Sequence, residues 1–144
     1  MKYTNFLLCS FCLALLLSTQ CADNDPAVSQ CSSNVRIDNL AYKNANSAYY
    51  NLINTEIYSD CLTIHISASG CSGESWILEL IDSDSVTESF PPQRHLKFAL
   101  TNSEACLAVF SKSESFDLAS LRLDGINEVI LNIEDFSDTI IYSY

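Results

Sequence analysis

Three groupings of side chains in this sequence have the composition of reactive sites: a hydroxyl with an imidazole and a carboxylate, clustered carboxylates, and cysteines. Ser72, His65 or His95 and one of several Asp residues supply the groups of a nucleophilic triad, in which imidazole takes a hydroxyl proton and a carboxylate orients the ring. The local sequence argues against it. Gly70-Cys71-Ser72-Gly73 is not the Gly-x-Ser-x-Gly elbow that presents a serine at a strand-to-helix turn. Both histidines also fall on the polar phase of their strands, where a solvated imidazole belongs.

Asp82, Asp84 and Glu88 match the opening carboxylates of a calcium loop, but Val86 or Thr87 stands where that loop needs glycine, and Gln93 stands where it needs a closing glutamate. A turn with solvated charges is expected instead. Glycoside hydrolysis needs two carboxylates at a defined separation, which no strand pattern here sets, so Glu74 and Glu79 are unassigned. The cysteines lack the close pairs of a zinc thiolate site. No metal, no cofactor and no enzymatic activity are expected.

The cysteines fit disulfide chemistry. Cys9 and Cys12 fall in an N-terminal apolar stretch and Cys21 just after it, which leaves Cys31, Cys61, Cys71 and Cys106. An even number in an exported protein implies two disulfides. A straight strand over residues 62–69 puts Cys61 and Cys71 about 30 Å apart at roughly 3.3 Å per residue, against the roughly 4.4–6.8 Å between bonded Cα atoms, which excludes that pairing. Of the two arrangements left, Cys31 with Cys61 and Cys71 with Cys106 is preferred. Each bond then closes a loop of about 30–35 residues and adds roughly 3–4 kcal/mol on the chain-entropy model.

Aromatic residues offer a binding surface. Tyr42, Tyr49, Tyr50 and Trp76 have the composition of a sugar-stacking platform. Trp76 is in phase with Leu78 and Leu80 and is expected in the core. Tyr49 and Tyr50 lie in a polar stretch over residues 43–51 that reads as a loop, and they are the candidate ligand-facing pair.

The elements that must position these groups are strands. Leu62, Ile64 and Ile66 alternate with Thr63, His65 and Ser67, and Leu96, Phe98 and Leu100 with His95, Lys97 and Ala99. Further strands are expected from Val35, over Leu52–Tyr58, from Trp76, over Cys106–Ser111, at Val129–Ile133 and over Thr139–Tyr144. Asp82–Ser85 reads as a turn, Phe90-Pro91-Pro92 as a break, and Phe116–Leu121 as a helical turn capped by Ser115 or Asp117. About seven to nine short strands with no long helical period predict an all-β fold. The expected architecture is a single antiparallel β-sandwich, immunoglobulin-like in its general layout.

The chain has 144 residues, enough for one domain, with 48% hydrophobic and 17% charged residues, as in a folded protein. From Cys21 onward it carries six basic and 18 acidic groups, a net charge of −12. Such a surface repels phosphate backbones and anionic headgroups, so nucleic acid is not an expected partner. Lys2 followed by the apolar run Phe6–Leu17 and the polar Ser18-Thr19-Gln20 reads as a cleaved secretory signal over residues 1–20, its run too short for the roughly 20 residues of a spanning helix. Residues 21–34 are expected to form a polar tether and 35–144 the sandwich domain.

Leu17-Ser18-Thr19-Gln20-Cys21 resembles a bacterial lipobox, in which the cysteine becomes an acylated N-terminus; Gln20 departs from the usual small residue, as envelope lipoproteins of Bacteroidota tolerate. Ala22-Asp23-Asn24-Asp25 is similar to the acidic stretch with which those bacteria send lipoproteins to the cell surface. From Ile64 onward, Ser69-Gly70-Cys71, Trp76, Glu88-Ser89-Phe90-Pro91 followed by Gln93, Cys106 and Phe116-Asp117-Leu118 resemble a family of small uncharacterised envelope lipoproteins of Bacteroidota, of the flavobacterial type. Relatives carry a histidine shortly after the cysteine where this chain has Glu74. That family brings no activity with it. The resemblance implies a Cys71–Cys106 bond, lipidation at Cys21, and an outer-membrane location facing the periplasm or the surface. The expected function is binding or structural, toward an envelope protein or glycan, with the membrane as partner through the lipid. The alternatives are a soluble secreted binding or inhibitor module and a small envelope hydrolase.

Overall fold

The structure, a computed structural model, describes residues 31–144. The leader, Cys21 and most of the tether lie outside the described residues. Nine strands and one short helix follow: β1 Ser33–Asn34, β2 Arg36–Ile37, α1 Asn39–Asn44, β3 Asn51–Tyr58, β4 Cys61–Gly70, β5 Ile77–Thr87, β6 Gln93–Thr101, β7 Ala108–Asp117, β8 Glu128–Ile133 and β9 Ile140–Ser143. A 3-10 turn occupies Ala119–Leu121. The strands form two sheets, ordered β1-β7-β4-β3 and β2-β5-β6-β8-β9, whose inner faces close one core.

The all-β sandwich is as the alternation implies, with one difference in direction. β1 with β7, β2 with β5, and β6 with β8 are parallel pairs, so both sheets are mixed rather than purely antiparallel. The cause lies in two crossings. The segment carrying β1 and β2 pairs with one sheet, turns at the buried Val35, and pairs with the other. After β6 the chain leaves for β7 in the facing sheet and returns through the 3-10 turn to lie beside β6 in the same sense. The sheet also begins upstream of residue 35, since Ser32 exchanges hydrogen bonds with Ser115 and Ser33–Asn34 pair with Phe116–Asp117.

β4 holds the centre of the first sheet. Leu62, Ile64, Ile66 and Ala68 point inward and are buried, and register pairs Leu62 with Phe116 and Ala68 with Phe110. Across the core Phe116 meets Phe98 of β6 edge-on at 6.2 Å. Trp76 is 3% exposed and continues into the buried Leu78 and Leu80. Each fully buried residue of this size contributes roughly 1.5–3 kcal/mol. Cysteines close both ends of β4, through the disulfides Cys31–Cys61 and Cys71–Cys106.

Two expectations fail locally. The helix α1 lies in the stretch before Tyr49 where only loop is expected beyond Lys43; Asp38 caps it by accepting the Ala41 N–H at 2.9 Å, and six residues without an apolar period carry no helical signal. By packing on β5 it buries Ile81, which stands on the phase opposite Leu80. Asp82–Ser85 is no turn but the irregular middle of β5, where the register shifts between Asp82 and Val86 and Asp84 adopts φ 55°. Asp82 is fully buried there. Arg94 Nη1 donates to its Oδ1 at 3.0 Å, and Arg94 Nε donates to the Leu121 carbonyl at 2.9 Å. Burial pushes the Asp82 carboxyl up, and Arg94 offsets that only in part.

At the other end of the molecule a carboxylate organises the turn after β4. Glu104 Oε2 accepts the backbone N–H groups of Cys71, Ser72 and Gly73 at 2.5, 3.0 and 3.1 Å, and its Oε1 accepts the Ser75 hydroxyl at 2.7 Å. The Ser72 N–H and then the Ser75 hydroxyl are the largest causes that hold its carboxyl down at about 2, from an ordinary 4.5. Gly70 is required beside it, because a Cβ there would lie 2.5 Å from Glu104 Oε2 and 2.8 Å from the Trp76 ring. Gly70 and Trp76 are thus packed against each other and against Glu104.

Two measurements follow. Arg94→Ala leaves Asp82 buried without its cation, and urea unfolding at neutral pH should show a loss of about 3–5 kcal/mol; joint replacement by Arg94→Met and Asp82→Leu should recover most of it. The stabilisation from Glu104 is fully present above pH 4.5 and declines as pH falls toward about 2, because the folded carboxyl lies below the unfolded one. In thermal unfolding across that window, Glu104→Gln should therefore flatten the acid-side fall in stability, and a slope equal to the parent's would remove Glu104 from the account.

Candidate ligand-binding cleft

The loop before β3 is pinned to the end of β6. Ala48 N–H donates to the Leu100 carbonyl at 2.8 Å, and the Leu100 N–H donates to Ser47 Oγ at 3.0 Å. These bonds set the next two residues on opposite sides. Tyr50 turns inward and meets Phe98 edge-on, with centroids 5.2 Å apart and planes at 81°. Tyr49 turns outward and is 82% exposed, its hydroxyl donating to Asn51 Oδ1 at 3.1 Å. From the β8–β9 connection Asp135, at φ 68°, and Phe136 complete a cleft of about 320 Å³, with Leu52 on its wall. Phe136 rests on Phe98 at 6.3 Å, so one core ring supports both the Tyr50 and Phe136 sides.

Burial, followed by the Asp135 charge, raises the Tyr50 phenol above its ordinary value, so it is a neutral hydroxyl at physiological pH. The cleft thus offers an exposed ring, a half-buried phenol and a carboxylate. That set has the groups to contact a hydroxylated ligand with an apolar ring face. Tyr50 proves to be as much floor as contact, whereas Tyr49 is free to stack.

The other candidate residues are placed elsewhere. Trp76 is in the core, and Tyr42 lies under the Lys97 ammonium, 5.0 Å from its ring centroid. Ser72 Oγ accepts the Glu74 N–H in the turn that Glu104 holds, and His95, in the second sheet, has Nε2 2.9 Å from Thr87 Oγ1. Neither meets the other. A different hydroxyl, imidazole and carboxylate do converge, across three neighbouring strands of the first sheet. Ser113 Oγ is 2.6 Å from His65 Nδ1, and His65 Nε2 is 4.0 Å from Glu56 Oε1, which already accepts from Asn54 Nδ2 at 2.9 Å. This row lies on the outer face of the sheet, in neither the Tyr49 cleft nor the shallow cleft beside α1. Sequence spacing could not reveal the row, because only the register of β3, β4 and β7 aligns its members.

Sequence reasoning also missed a tyrosine clasp. Tyr142 OH donates to Asp60 Oδ1 at 2.5 Å, Arg122 Nη2 donates to the same oxygen, and Arg122 Nε donates to Tyr142 OH at 3.0 Å. Burial, then the hydrogen bond to Asp60, pushes the phenol up to about 12, and the Tyr142 and Arg122 hydrogen bonds lower the Asp60 carboxyl. Every group is spent on another, so the clasp ties the β3–β4 turn to β9. Asp82 Oδ1 accepts from Arg94, and among the described residues no three His, Cys, Asp or Glu side chains are grouped so that they could hold a metal ion.

No family model and no curated protein match this chain. Two solved structures share its fold. One is the crystal structure of a protein of unknown function, DUF1344, from Bacteroides vulgatus ATCC 8482, with a TM-score of 0.51 and 16% identity over 78% of this chain and 57% of that one. The other is a protein described as toxin-related from Parabacteroides distasonis ATCC 8503, with a TM-score of 0.52 and 18% identity over 78% of this chain and 58% of that one. The chain therefore spans less than three fifths of either neighbour, and at these identities the likeness concerns the fold alone.

Proposed function

We propose that this protein is exported and lipid-anchored at the cell envelope through Cys21, and that it binds a glycan in the Tyr49 cleft. The observation that carries the binding reading is the contrast between neighbours: Tyr49 is held outward by Asn51 while Tyr50, Phe98 and Phe136 fix the cleft behind it. A rigid exposed ring beside a carboxylate and a hydroxyl suits the alternating apolar faces and hydroxyl edges of a sugar. Two disulfides support an oxidising compartment, and the signal and lipobox resemblance supports the anchor. The net charge of −12 gives the domain no affinity of its own for anionic lipid, so attachment falls to the acyl chains at about 0.8 kcal/mol per buried methylene.

Intact mass of the protein from the membrane fraction of its host should equal the chain from Cys21 plus acyl groups, gaining two hydrogens per disulfide on reduction, and Cys21→Ala should move it to the soluble fraction. A bare mass with cleavage elsewhere would make it a secreted module. Titration calorimetry against polysaccharide fractions of the same envelope tests the cleft. Tyr49→Ala should weaken binding by about 1 kcal/mol, roughly fivefold, with the melting temperature unchanged, and equal affinity would remove Tyr49 from the site.

A further inference from the structure

The Glu88-Ser89-Phe90-Pro91 motif forms the tip of the β5–β6 hairpin, and its residues divide the work. Ser89 Oγ donates to the Pro91 carbonyl at 2.5 Å, Gln93 Nε2 donates to Ser89 Oγ at 3.1 Å, and the Pro92 carbonyl accepts the Ile130 N–H at 2.9 Å. The tip is braced from within. Phe90 takes no part and is 96% exposed, the most exposed large hydrophobic residue of the described chain.

The hairpin tip lies at the end of the sandwich where the N-terminal segment enters. Cys31 is bonded to Cys61; the adjacent Asp60 accepts from Tyr142; and Tyr142 pairs with Val129, beside the Ile130 that donates to Pro92. Tyr58, opposite Cys61, is a second exposed aromatic there. The Tyr49 cleft is at the far end, two residues beyond Asn51, which pairs with Ser67. Along β4, Ser67 lies six residues from Cys61, about 20 Å away. Ten residues separate Cys21 from Cys31 and reach at most about 35 Å when fully extended. The Phe90 end therefore meets a bilayer at any reach of the tether, whereas the cleft end requires more than half of it.

We infer that Phe90 is a membrane contact: with Cys21 acylated, the sandwich stands on its β5–β6 hairpin, the Phe90 ring enters the headgroup region of the anchoring bilayer, and the Tyr49 cleft faces away. The inference rests on the anchor proposed above. An exposed aromatic ring gains from leaving water at an interface, and the anchor supplies the proximity that an acidic domain could not gain alone.

The test uses the full acylated chain, its acyl mass verified, in vesicles of phosphatidylethanolamine and phosphatidylcholine containing phosphatidylcholine brominated on its acyl chains. Phe90→Trp and Tyr49→Trp are compared; Trp76, buried at the far end, gives both the same background. The indole at position 90 should emit at shorter wavelength in vesicles and lose most of its intensity to brominated lipid, while that at position 49 keeps both its wavelength and its intensity. Equal and negligible quenching at the two positions would overturn the inference, and quenching at 49 alone would reverse the orientation. Unchanged melting temperatures show that either variant is folded. A chain that carries no acyl group removes the anchor, and the inference with it, which separates that failure from a wrong orientation on an acylated protein.

Discussion

Everything in this molecule is hung on the inward face of β4. Leu62, Ile64 and Ile66 are wholly shielded from water, and they are shielded only while the second sheet stays across from them. Their burial contributes roughly 1.5–3 kcal/mol each, which makes separation of the sheets the event that stability must oppose. Fastenings therefore gather at the two ends of the strand, where the layers would first part. At one end Cys31–Cys61 and the Asp60, Arg122 and Tyr142 clasp join the β3–β4 turn to the incoming segment and to β9. At the other, Cys71–Cys106 and the Glu104 carboxylate hold the turn after Gly70. The two bonds, at roughly 3–4 kcal/mol each on the chain-entropy model, match a few buried side chains.

How far this could be read from the sequence follows from what a strand pattern encodes. Alternation reports one face of one strand, so β4, β6, the start of β5 and β8 were legible, together with the burial of Trp76. One of the three cysteine pairings could be excluded too, because a straight β4 holds Cys61 and Cys71 too far apart, while the choice between the other two rested on loop length and on the resemblance. Alternation says nothing of which strand lies alongside or in which sense. Hence the parallel neighbours of β7, β5 and β8 were invisible, and so was the Ser113, His65 and Glu56 row that only register creates. Asp82 misled for a different reason: an Asp-Ser-Asp-Ser run has the composition of a turn, and its burial depends on an arginine twelve residues away across a hairpin. The candidate tyrosines were identifiable as a pair, but their division into a floor and a contact depends on the Ser47 and Ala48 bonds to Leu100.

The surface divides along the same axis as the fastenings. The end where the chain enters carries Phe90 and Tyr58, and the far end carries the Tyr49 cleft. Between them the outer face of the first sheet is lined with serine, threonine and asparagine on β3, β4 and β7, whose short side chains bond to one another or to backbone. Polar residues of this kind are what a sheet face exposed to solvent needs.

Charge limits what this molecule can approach. Eighteen acidic groups against seven basic ones spread a single sign over the molecule, and the arginines are spent internally, Arg94 on Asp82, Arg122 on Asp60 and Arg36 on Asp38. Such a charge repels polyanions and anionic headgroups, so the proposed membrane attachment relies on a covalent anchor, and the proposed ligand on shape and hydroxyl chemistry rather than on opposite charge. The acyl anchor proposed at one end and the aromatic cleft at the other would meet both conditions. On that reading the sandwich between them is the spacer, since about 20 Å of paired strand separates Cys61 from the level of the cleft and neither end can move without parting the core.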